Sequence, residues 1–467
     1  LYDAAGAAAA EIKKSGCDHV AMLDVSSLAT PVALFACAWA GVPYVPINYR
    51  LTADEIDTLM DRVKPCMLIT GTDRVAYFNG REGVQAISRD AFISAARSGS
   101  TLEDPWSMDQ EDIGVLLFTS GTTGAPKAAV LRQKHLVSYI LSSVEFMSAM
   151  EDDAALACVP PYHIAGISAV LSSVYSGRRV VQLPNFSAAQ WVSLVKKEKV
   201  TNAFVVPTML AHIVELVGDD AAAEMPSLRA LAYGGGKMPL SVIQRSMKLF
   251  PNADFANAYG LTETSSTIAI LGPQDHRDAA VSDDEAVQRR LVSVGRPLSS
   301  IELEIRDDEG KVVAAGERGE IYVRGEQVSG EYVGKGSLLD NDGWFPTRDA
   351  GSLDQQGFLF LEGRADDVIV RGGENMSPGE IEDVLLEHDA VADIAVVGIP
   401  DEQWGEGVAA AVVLKPGKKA SVEELQVWVK DRMRSSRVPQ LMEFWDELPY
   451  NETGKLLRRV IKSSLGE

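Results

Sequence analysis

Residues 117–127 read Leu-Phe-Thr-Ser-Gly-Thr-Thr-Gly-Ala-Pro-Lys, a run of hydroxyls and glycines that ends in a lysine. The apolar residues before it, Ile113–Phe118, predict a buried strand that leads into this loop. Glycines let backbone N–H groups approach a ligand closely, Ser and Thr hydroxyls donate hydrogen bonds, and Lys127 supplies positive charge. The stretch therefore predicts a loop that binds nucleotide phosphates, although its glycine spacing differs from that of the common P-loop.

The composition limits the classes of protein to consider. The chain has 467 residues, of which 46% are hydrophobic and 24% charged, values typical of a globular protein with two or three domains. Its formal net charge of −22 argues against nucleic acid as the main partner, because binding a phosphate backbone requires a basic face. Four cysteines without metal-ligand spacing (Cys17, Cys37, Cys66 and Cys158) predict free thiols in the core of a cytoplasmic protein.

Two apolar stretches, residues 28–47 and 154–177, have the length of a membrane span. Prolines interrupt both, so we expect no transmembrane segment. Because the sequence begins at Leu1 and not at a methionine, we expect that the natural N-terminal portion is truncated. The sequence does not determine the oligomeric state, and a homodimer stays open.

Helix-like and strand-like segments alternate over residues up to about 360. Helices are predicted at Ala33–Ala40 and Ala188–Lys197, and strands at Tyr44–Ile47, Val180–Leu183 and Ala203–Val206. Such alternation is typical of α/β layers around a largely parallel sheet. We therefore predict an α/β fold for most of the chain.

The pattern changes from about Ile301 to short β segments separated by turns. The segments Ile301–Arg306 and Gly319–Arg324 predict a small β-rich subdomain. We assign it, together with the layered α/β subdomains, to a large N-terminal domain of residues 1–365.

The last hundred residues have a complete α+β pattern of their own. Capping boxes beginning at Ser377 and Ser421 predict two helix starts, and strands are predicted at Ile394–Val397 and Ala409–Leu414. We therefore predict a small C-terminal domain of residues 366–467.

The loop at 117–127 resembles the signature loop of the adenylate-forming superfamily, which contains acyl-CoA synthetases, adenylation domains of peptide synthetases and luciferases. Further segments resemble motifs of the same superfamily in the same order, and the match extends over nearly the whole chain. These segments are Ala33–Tyr49, Pro160–Gly166, Tyr233–Lys237, Asn257–Glu263, Thr347–Asp349, Arg371–Asn375 and Asn451–Lys455. The resemblance implies an AMP-forming ligase that uses ATP, Mg²⁺ and coenzyme A.

Residues 257–263 predict one compact turn that carries a tyrosine, a hydroxyl and a carboxylate. The resemblance also implies roles for individual residues around the nucleotide. The glycine loop of residues 233–237 would pass one face of the adenine, Asn257 would face the adenine, and Tyr259 would stack on it. Thr262 would contact the α-phosphate, Glu263 would bind Mg²⁺, and Lys455 would be the catalytic lysine. Asp349 would bind the ribose with the help of Arg364, although such a pair is more often a surface ion pair. The residues implied in ATP binding are Thr119, Ser120, Gly121, Thr122, Thr123, Gly124, Lys127, Gly234, Gly235, Gly236, Asn257, Ala258, Tyr259, Gly260, Thr262, Asp349, Arg364 and Lys455.

A rotation of the C-terminal domain is the second implication of the resemblance. The family's hinge position falls on Asp366, which makes this domain a mobile one. The loop that the rotation brings to the site for thioester formation would contain Arg371, Gly372 and Gly373. Coenzyme A would be the thiol.

The acyl group is predicted from the residues that match the family's acid-binding region. That region would contain His163, Ile167, Val206, Met209, Gly234 and Gly260. A histidine in an apolar run is more often a core residue, but the resemblance implies that His163 is also catalytic, as a ring at the junction of the carboxylate and nucleotide sites that packs on the acyl group and swings aside to admit the thiol. Amino-acid-activating relatives generally have an aspartate in the segment corresponding to residues 162–166, and this chain has none there. Residues 181–215 look most like bacterial fatty-acyl-CoA synthetases, so we expect a medium- or long-chain fatty acid or another apolar acid, and a role in fatty acid metabolism.

Three alternatives stay open. The chain could be an aromatic-acid–CoA ligase, or an acyl-AMP ligase that loads a carrier protein. It could also be a regulatory protein that binds a nucleotide and has lost the reaction, but the presence of Thr262, Glu263 and Lys455 argues against that class.

Overall fold

The computed structural model of the protein describes residues 1–119, 126–218, 225–364, 367, 369–371, 374–401, 403–450 and 456–466. The chain forms two compact units. The first comprises Leu1–Leu291, Pro297–Glu302 and Arg324–Phe345, and the second comprises Val292–Arg296, Leu303–Val323 and Pro346–Glu467. The predicted domain boundary at Asp366 lies outside the described residues and stays a prediction.

The helices of the described residues are numbered in chain order. They are α1 (Tyr2–Ser15), α2 (Ala29–Ala40), α3 (Ala53–Asp61), α4 (Thr72–Asn79), α5 (Arg89–Ser98), α6 (Gln133–Ser143), α7 (Ile164–Ser176), α8 (Ala188–Lys197), α9 (Pro207–Val217), α10 (Leu240–Leu249), α11 (Pro273–Val281), α12 (Glu285–Gln288), α13 (Pro378–Leu386), α14 (Val422–Lys430) and α15 (Arg458–Leu465). Within the part of the chain that is described, none of them is both long and apolar enough to cross a membrane.

The strands are distributed over both units. They are β1 (His19–Leu23), β2 (Tyr44–Pro46), β3 (Cys66–Thr70), β4 (Val84–Ser88), β5 (Ile113–Thr119), β6 (Lys127–Arg132), β7 (Ala154–Ala157), β8 (Arg179–Gln182), β9 (Asn202–Val205), β10 (Ala230–Gly234), β11 (Asp254–Leu261), β12 (Ser266–Leu271), β13 (Arg296–Pro297), β14 (Glu302–Arg306), β15 (Gly319–Arg324), β16 (Glu331–Tyr332), β17 (Gly336–Ser337), β18 (Phe345–Leu353), β19 (Leu359–Arg364), β20 (Ile369–Arg371), β21 (Glu374–Met376), β22 (Val391–Asp401), β23 (Gly405–Leu414) and β24 (Leu441–Phe444).

The first unit contains two sheets that are largely parallel. One has the strand order β17-β16-β6-β5-β2-β1-β3-β4, and the other has β13-β12-β11-β10-β9-β7-β8. The sequence of strand β1 is a continuous apolar run because both faces of the strand are buried. Val20 and Met22 pack into one core, whereas Ala21 and Leu23 pack into another. Helices therefore cover both faces of this sheet, as the α/β prediction required.

The second unit contains two smaller sheets. One has the order β14-β15-β18-β19, and in the other β21-β20-β23-β22 is extended by β24 beside β23. Along β22, Ile394 and Val396 pack into one core, and Ala395 and Val397 pack into the other. This sheet is thus buried on both faces, which confirms the predicted α+β character of the C-terminal residues.

Two helix starts were predicted from capping boxes, and only one box exists. The Ser421 side chain accepts a hydrogen bond from the Glu424 N–H, and the Glu424 carboxylate accepts one from the Ser421 N–H. These two hydrogen bonds form the capping box of α14. Helix α13 does begin after Ser377, but the Ser377 hydroxyl donates to the Glu362 carbonyl at 2.8 Å and forms no cap. The box prediction at Ser377 was wrong, because the hydrogen bond to the Glu362 carbonyl fixes the hydroxyl in an orientation in which its oxygen accepts no hydrogen bond from the helix start.

Candidate active site

The two ends of the predicted phosphate loop are held together by a hairpin. Strands β5 and β6 pair in antiparallel fashion with Thr119 opposite Lys127, and the Thr119 hydroxyl donates to the Lys127 carbonyl at 3.4 Å. The Arg62 guanidinium donates to the Pro126 carbonyl at 2.5 Å and lies 5.0 Å from the Phe118 ring centroid. Loop entry and loop exit are therefore fixed beside each other.

The predicted adenine loop follows β10 at the carboxyl end of the second sheet. β10 pairs in parallel with β11, which places Gly234 beside Ala258, and a Cβ added to Gly234 would lie 2.1 Å from the Ala258 carbonyl oxygen. Gly235 has a φ of +83°, and its Cβ would lie 3.6 Å from Val206 Cγ1. Gly236 follows in an exposed bend. Carboxyl ends of parallel strands are where α/β proteins bind ligands.

The neighbouring segment was interpreted from sequence as one compact turn, and this is wrong for most of it. Asn257, Ala258 and Tyr259 continue β11, with Tyr259 opposite Ala269 of the antiparallel strand β12. Only Thr262–Thr264 form a turn, of the 3₁₀ type. The side chains alternate accordingly, since Asn257 and Tyr259 are buried and Ala258 is half-buried.

The backbone after this turn is constrained. Ser265 has a φ of 56° and Ser266 a φ of 122°, both in the region that side chains disfavour. The Thr264 hydroxyl accepts from the Leu261 N–H at 2.9 Å and donates to the Ser266 carbonyl at 2.8 Å. A Cβ added to Gly260 would lie 1.8 Å from the Ser266 carbonyl oxygen. Strain of this kind is concentrated in proteins at functional sites.

The Glu263 side chain and backbone both contact residues 329–332, which lie more than 60 positions later in the sequence. The Tyr332 hydroxyl donates to Glu263 Oε1. The backbone N–H groups of Ser329 and Gly330 donate to the Glu263 carbonyl at 2.8 and 3.1 Å. Tyr332 was not predicted from the sequence, because it lies 69 residues from Glu263 and belongs to no local motif.

A divalent cation at Glu263 would depend on the substrate for its remaining ligands. The described residues contain no group of three His, Cys, Asp or Glu side chains that could hold a metal ion. Mg²⁺ is commonly bound through one or two carboxylates together with substrate phosphates and water. The half-buried carboxylate of Glu263 therefore fits Mg²⁺ delivered with a nucleotide, and it does not fit a metal held by protein ligands alone.

His163 lies at the N-terminus of α7. Its Nε2 atom is buried and has no hydrogen-bond partner among the described residues. Burial, and then the nearby charge of Arg50, lower the pKa of His163 to about 4, so the imidazole is neutral at pH 7. The ring packs against Tyr162 with the centroids 4.6 Å apart. It offers a neutral polar atom inside an apolar environment.

The residues predicted for the acyl group are not all buried, since His163 and Gly260 are half-buried, and the buried side chains among them belong to two cores. Ile167 on α7 packs with side chains of the first sheet, whereas Val206 and Met209 pack with the second. A hydrogen bond of 3.1 Å from the Ser266 hydroxyl to the Ser168 hydroxyl connects α7 to the constrained backbone that follows Glu263. The structure thus brings α7 and this backbone together, and it brings Val206 next to Gly235.

Two predicted site residues pair directly in the second unit. Arg364 donates to Asp349 Oδ1 at 2.8 Å, and the two residues are opposite each other across β18 and β19. Arg348, next to Asp349, has a φ of 64°. Arg371 at the end of β20 donates to the Ser436 carbonyl at 2.7 Å.

Several predicted residues lie outside the described part of the chain, and their roles stay predictions. They are Ser120, Gly121, Thr122, Thr123, Gly124, Asp366, Gly372, Gly373 and Lys455.

Family models match both parts of the chain. The model described as AMP-binding enzyme matches residues 1–333, and the one described as AMP-binding enzyme C-terminal domain matches residues 380–455.

Proteins similar to this chain include CoA ligases and a ligase of acyl carrier protein. A 2-succinylbenzoate–CoA ligase from Bacillus cereus (strain Q1) is 32% identical over 96% of this chain and 89% of its own length. The fatty acid–[acyl-carrier-protein] ligase ScoC from Streptomyces coeruleorubidus is also 32% identical, over 95% of this chain and 86% of its own length.

A similar solved structure is the o-succinylbenzoate CoA synthetase of Bacillus subtilis. In complex with its acyl-adenylate intermediate, it is 31% identical with a TM-score of 0.83, over 98% of this chain and 91% of its own. In complex with ATP and magnesium ion, it is 30% identical with a TM-score of 0.84, over 100% of this chain and 93% of its own.

Proposed function

The chain belongs to the AMP-binding enzyme family and is an AMP-forming ligase of the adenylate-forming superfamily, and from this premise we propose that it joins a carboxylic acid to coenzyme A. The observation that carries the proposal is the arrangement at the carboxyl ends of β10 and β11. There Gly234 adjoins Ala258, and the backbone turns sharply to present Thr262 and Glu263. Such an arrangement is suited to a flat base and a charged phosphate side by side.

The first step converts a poor electrophile into a good one. A carboxylate oxygen of the acid attacks the α-phosphorus of ATP, the bond to the bridging oxygen breaks, and pyrophosphate leaves with the electron pair. We assign Thr262 and Lys455 to the α-phosphate, and Lys127 with its loop to the departing β- and γ-phosphates. The protein contributes mainly by positioning the two reactants and stabilising charge.

The second step transfers the acyl group. The thiol of coenzyme A loses its proton, its sulfur attacks the acyl carbon, and AMP leaves with the electron pair of the broken C–O bond. We assign Arg371, Gly372 and Gly373 to the segment that acts in this step, and Asp366 to the hinge. Asp349 and Arg364 would bind the ribose in this scheme, since a carboxylate accepts hydrogen bonds from hydroxyls and a guanidinium donates to oxygens.

Mg²⁺ would bind at Glu263, where it supplies charge neutralisation to the phosphates. Tyr332 holds the carboxylate of Glu263 through a hydrogen bond to Oε1, and the N–H groups of Ser329 and Gly330 hold its backbone carbonyl. The residues around Glu263 therefore orient the carboxylate before a nucleotide arrives.

The acid that we propose is an aromatic carboxylic acid, which was the alternative to a fatty acid in the sequence analysis. The relatives named 2-succinylbenzoate–CoA ligase and o-succinylbenzoate CoA synthetase support this choice. The preference for a fatty acid, and with it the role in fatty acid metabolism, has no specific support from them. The buried Val206 and Met209 and the neutral His163 offer an apolar environment for an aromatic ring.

A second candidate is loading of an acyl carrier protein instead of coenzyme A. The similarity to the fatty acid–[acyl-carrier-protein] ligase ScoC favours it, since the identity is 32% as for the CoA ligases. The two candidates share the adenylation step and differ only in the thiol that accepts the acyl group.

The proposal predicts ATP–pyrophosphate exchange that depends on an added acid. Purified protein should catalyse exchange with aromatic acids such as 2-succinylbenzoate, more slowly with fatty acids, and negligibly with amino acids. Adding coenzyme A should convert the exchange into net formation of acyl-CoA and AMP, measured by chromatography. The control is Lys455→Ala, which should lose exchange.

Different outcomes separate the two candidates and the acid classes. Exchange without any acyl-CoA formation would favour the carrier-protein candidate. Exchange that is fastest with fatty acids would restore the first preference, and an absence of exchange with every acid would contradict the proposed function.

A further inference from the structure

We propose that Tyr332 is a positioning residue that fixes the Glu263 carboxylate for Mg²⁺ and thereby sets how much Mg²⁺ strengthens nucleotide binding. The inference rests on the proposed function, because it needs a magnesium nucleotide at Glu263. Tyr332 lies outside the segments of this sequence that were matched to motifs of the superfamily.

The hydrogen bond from Tyr332 restricts the carboxylate to one orientation. The phenol hydroxyl donates to Glu263 Oε1, so Oε2 is the oxygen that we assign to the cation. The Tyr332 side chain is largely buried, and Glu263 is half-buried. Carboxylates that bind metals are commonly held by such outer hydrogen bonds, and loss of the outer partner typically weakens metal binding or activity by about 10- to 100-fold.

Tyr332 is itself held firmly. It pairs with Ala129 between β16 and β6, and the next N–H, that of Val333, donates to the Ala128 carbonyl at 2.9 Å. The preceding residue, Glu331, accepts two hydrogen bonds from Arg132, at 2.9 and 2.7 Å. The residues before and after Tyr332 are therefore both held by hydrogen bonds to residues of β6 or its end, which fixes the position from which the phenol extends.

The Tyr332 ring also contacts Lys127, the residue that we assign to the departing phosphates. The Lys127 ammonium lies 5.7 Å from the centroid of the Tyr332 ring, within the range of a cation–π contact. Tyr332 thus lies between the residue assigned to the leaving phosphates and the residue assigned to Mg²⁺. One side chain positions both charges relative to each other.

The backbone around Glu263 does not need the phenol hydroxyl. The Ser329 and Gly330 N–H groups hold the Glu263 carbonyl, and the Gln327 amide donates to the Thr264 carbonyl at 3.0 Å. Removal of the hydroxyl alone should therefore release the carboxylate and leave the turn in place. This separation allows the role of Tyr332 to be measured by the variant Tyr332→Phe.

The test is calorimetric binding of α,β-methylene-ATP without any acid, once with saturating Mg²⁺ and once with EDTA. For the unchanged protein, Mg²⁺ should strengthen binding. Tyr332→Phe should lower the affinity in Mg²⁺ by about 10-fold or more and leave the affinity in EDTA unchanged. In a Glu263→Gln background, Tyr332→Phe should have no further effect, because the phenol acts through that carboxylate.

The matched control is Tyr77→Phe. The Tyr77 hydroxyl donates to Asp57 Oδ2 at 2.7 Å, so this variant also removes a tyrosine–carboxylate hydrogen bond, but it does so on α4. It should bind the analogue as the unchanged protein does, with and without Mg²⁺.

Four outcomes would overturn the inference, and they differ in what else they affect. Equal strengthening by Mg²⁺ in Tyr332→Phe and the unchanged protein, an equal loss in Mg²⁺ and EDTA, or an additional loss in Glu263→Gln would contradict it alone. Failure of the unchanged protein to bind the analogue more tightly with Mg²⁺ would contradict the proposed function as well.

Discussion

Gly260 shows how one residue determines the backbone around the candidate site. It lies where β11 and β12 shift register, and the Ser266 carbonyl oxygen occupies the space that a side chain would need. Because Ser266 and its neighbour Ser265 already have unfavourable backbone angles, this segment has little freedom to move away. The close approach of these two backbone segments therefore requires glycine.

We predict that Gly260→Ala lowers the free energy of unfolding by about 1–3 kcal/mol, the usual range for an overpacked site. The added Cβ would lie 1.8 Å from the Ser266 carbonyl oxygen, so the turn that contains Glu263 must shift. Urea unfolding would measure the change. Gly272→Ala is the matched control, because the nearest atom to its added Cβ is an Asp275 oxygen at 3.6 Å. A Gly260→Ala variant as stable as the control would contradict the prediction.

At individual positions, sequence predicted where the motifs lie but not what their side chains contact. The glycines at 234 and 260 were predicted as site residues, and the structure adds that both face a carbonyl oxygen. Tyr332 and the hydrogen bond from Ser266 to Ser168 were not predicted, because both depend on residues brought together from distant parts of the sequence. Periodicity and local motifs contain no information on such pairs.

At the scale of helices and strands, the sequence predictions hold best where the signal is local. The helix Ala188–Lys197 and the strand Gly319–Arg324 have the predicted bounds. The predicted strand Ile394–Val397 is the centre of a longer one, β22, which pairs with β23 from Val391 to Asp401. The extra residues are included because pairing with a neighbouring strand extends a strand beyond its apolar centre.

The capping box of α14 leads to the second prediction. Ser421→Ala should lower the free energy of unfolding by about 1 kcal/mol, because the Glu424 N–H loses its acceptor at the helix start. Chemical denaturation would measure the loss. Ser463→Ala, at an exposed serine within α15, should change the stability by much less. Equal effects of the two substitutions would show that the box contributes nothing.

Considered as a whole, the protein carries four histidines whose neutral form is favoured by folding. Burial is the main cause that lowers the pKa of His135 and His163 to about 4 and also lowers the pKa of His19 and His276. His276 donates from Nδ1 to the Gly272 carbonyl and accepts from the Tyr233 hydroxyl, each at 2.9 Å, and only a neutral ring can do both. Protonation of these rings therefore lowers the free energy of unfolding.

The third prediction concerns pH. The unfolded chain binds protons at these histidines near pH 6.5, whereas the folded protein binds them only at lower pH, so their contribution to stability is complete above pH 6.5 and is lost as the pH falls below it. The free energy of unfolding should fall by up to about 1.4 kcal/mol per pH unit for each histidine. Denaturant unfolding across this range would measure the slope.

A substitution at His135 separates its contribution from those of the other three histidines. The His135 ring accepts a hydrogen bond from the Arg132 N–H at 3.2 Å, and His135→Asn keeps an acceptor that does not titrate. Its stability should depend less steeply on pH than that of the unchanged protein. An unaltered slope would exclude His135 as a source of the pH dependence.

The contacts of Glu263 also bear on how the protein is made. The hydrogen bond from Tyr332 to Glu263 joins residues 69 positions apart, and Ser329, whose N–H donates to the Glu263 carbonyl, is itself bonded to Val130, 199 positions before it. A nascent chain that ends before residue 332 has already made the phosphate loop and Glu263, yet it lacks the side chain that orients the carboxylate. During synthesis, the Glu263 carboxylate is therefore oriented only after residue 332 has been added, and Asp349, Arg364 and Lys455, which we assign to the nucleotide, are added later still. Until then, ATP can contribute little to stabilising the growing chain, because ligands stabilise only the conformation that binds them.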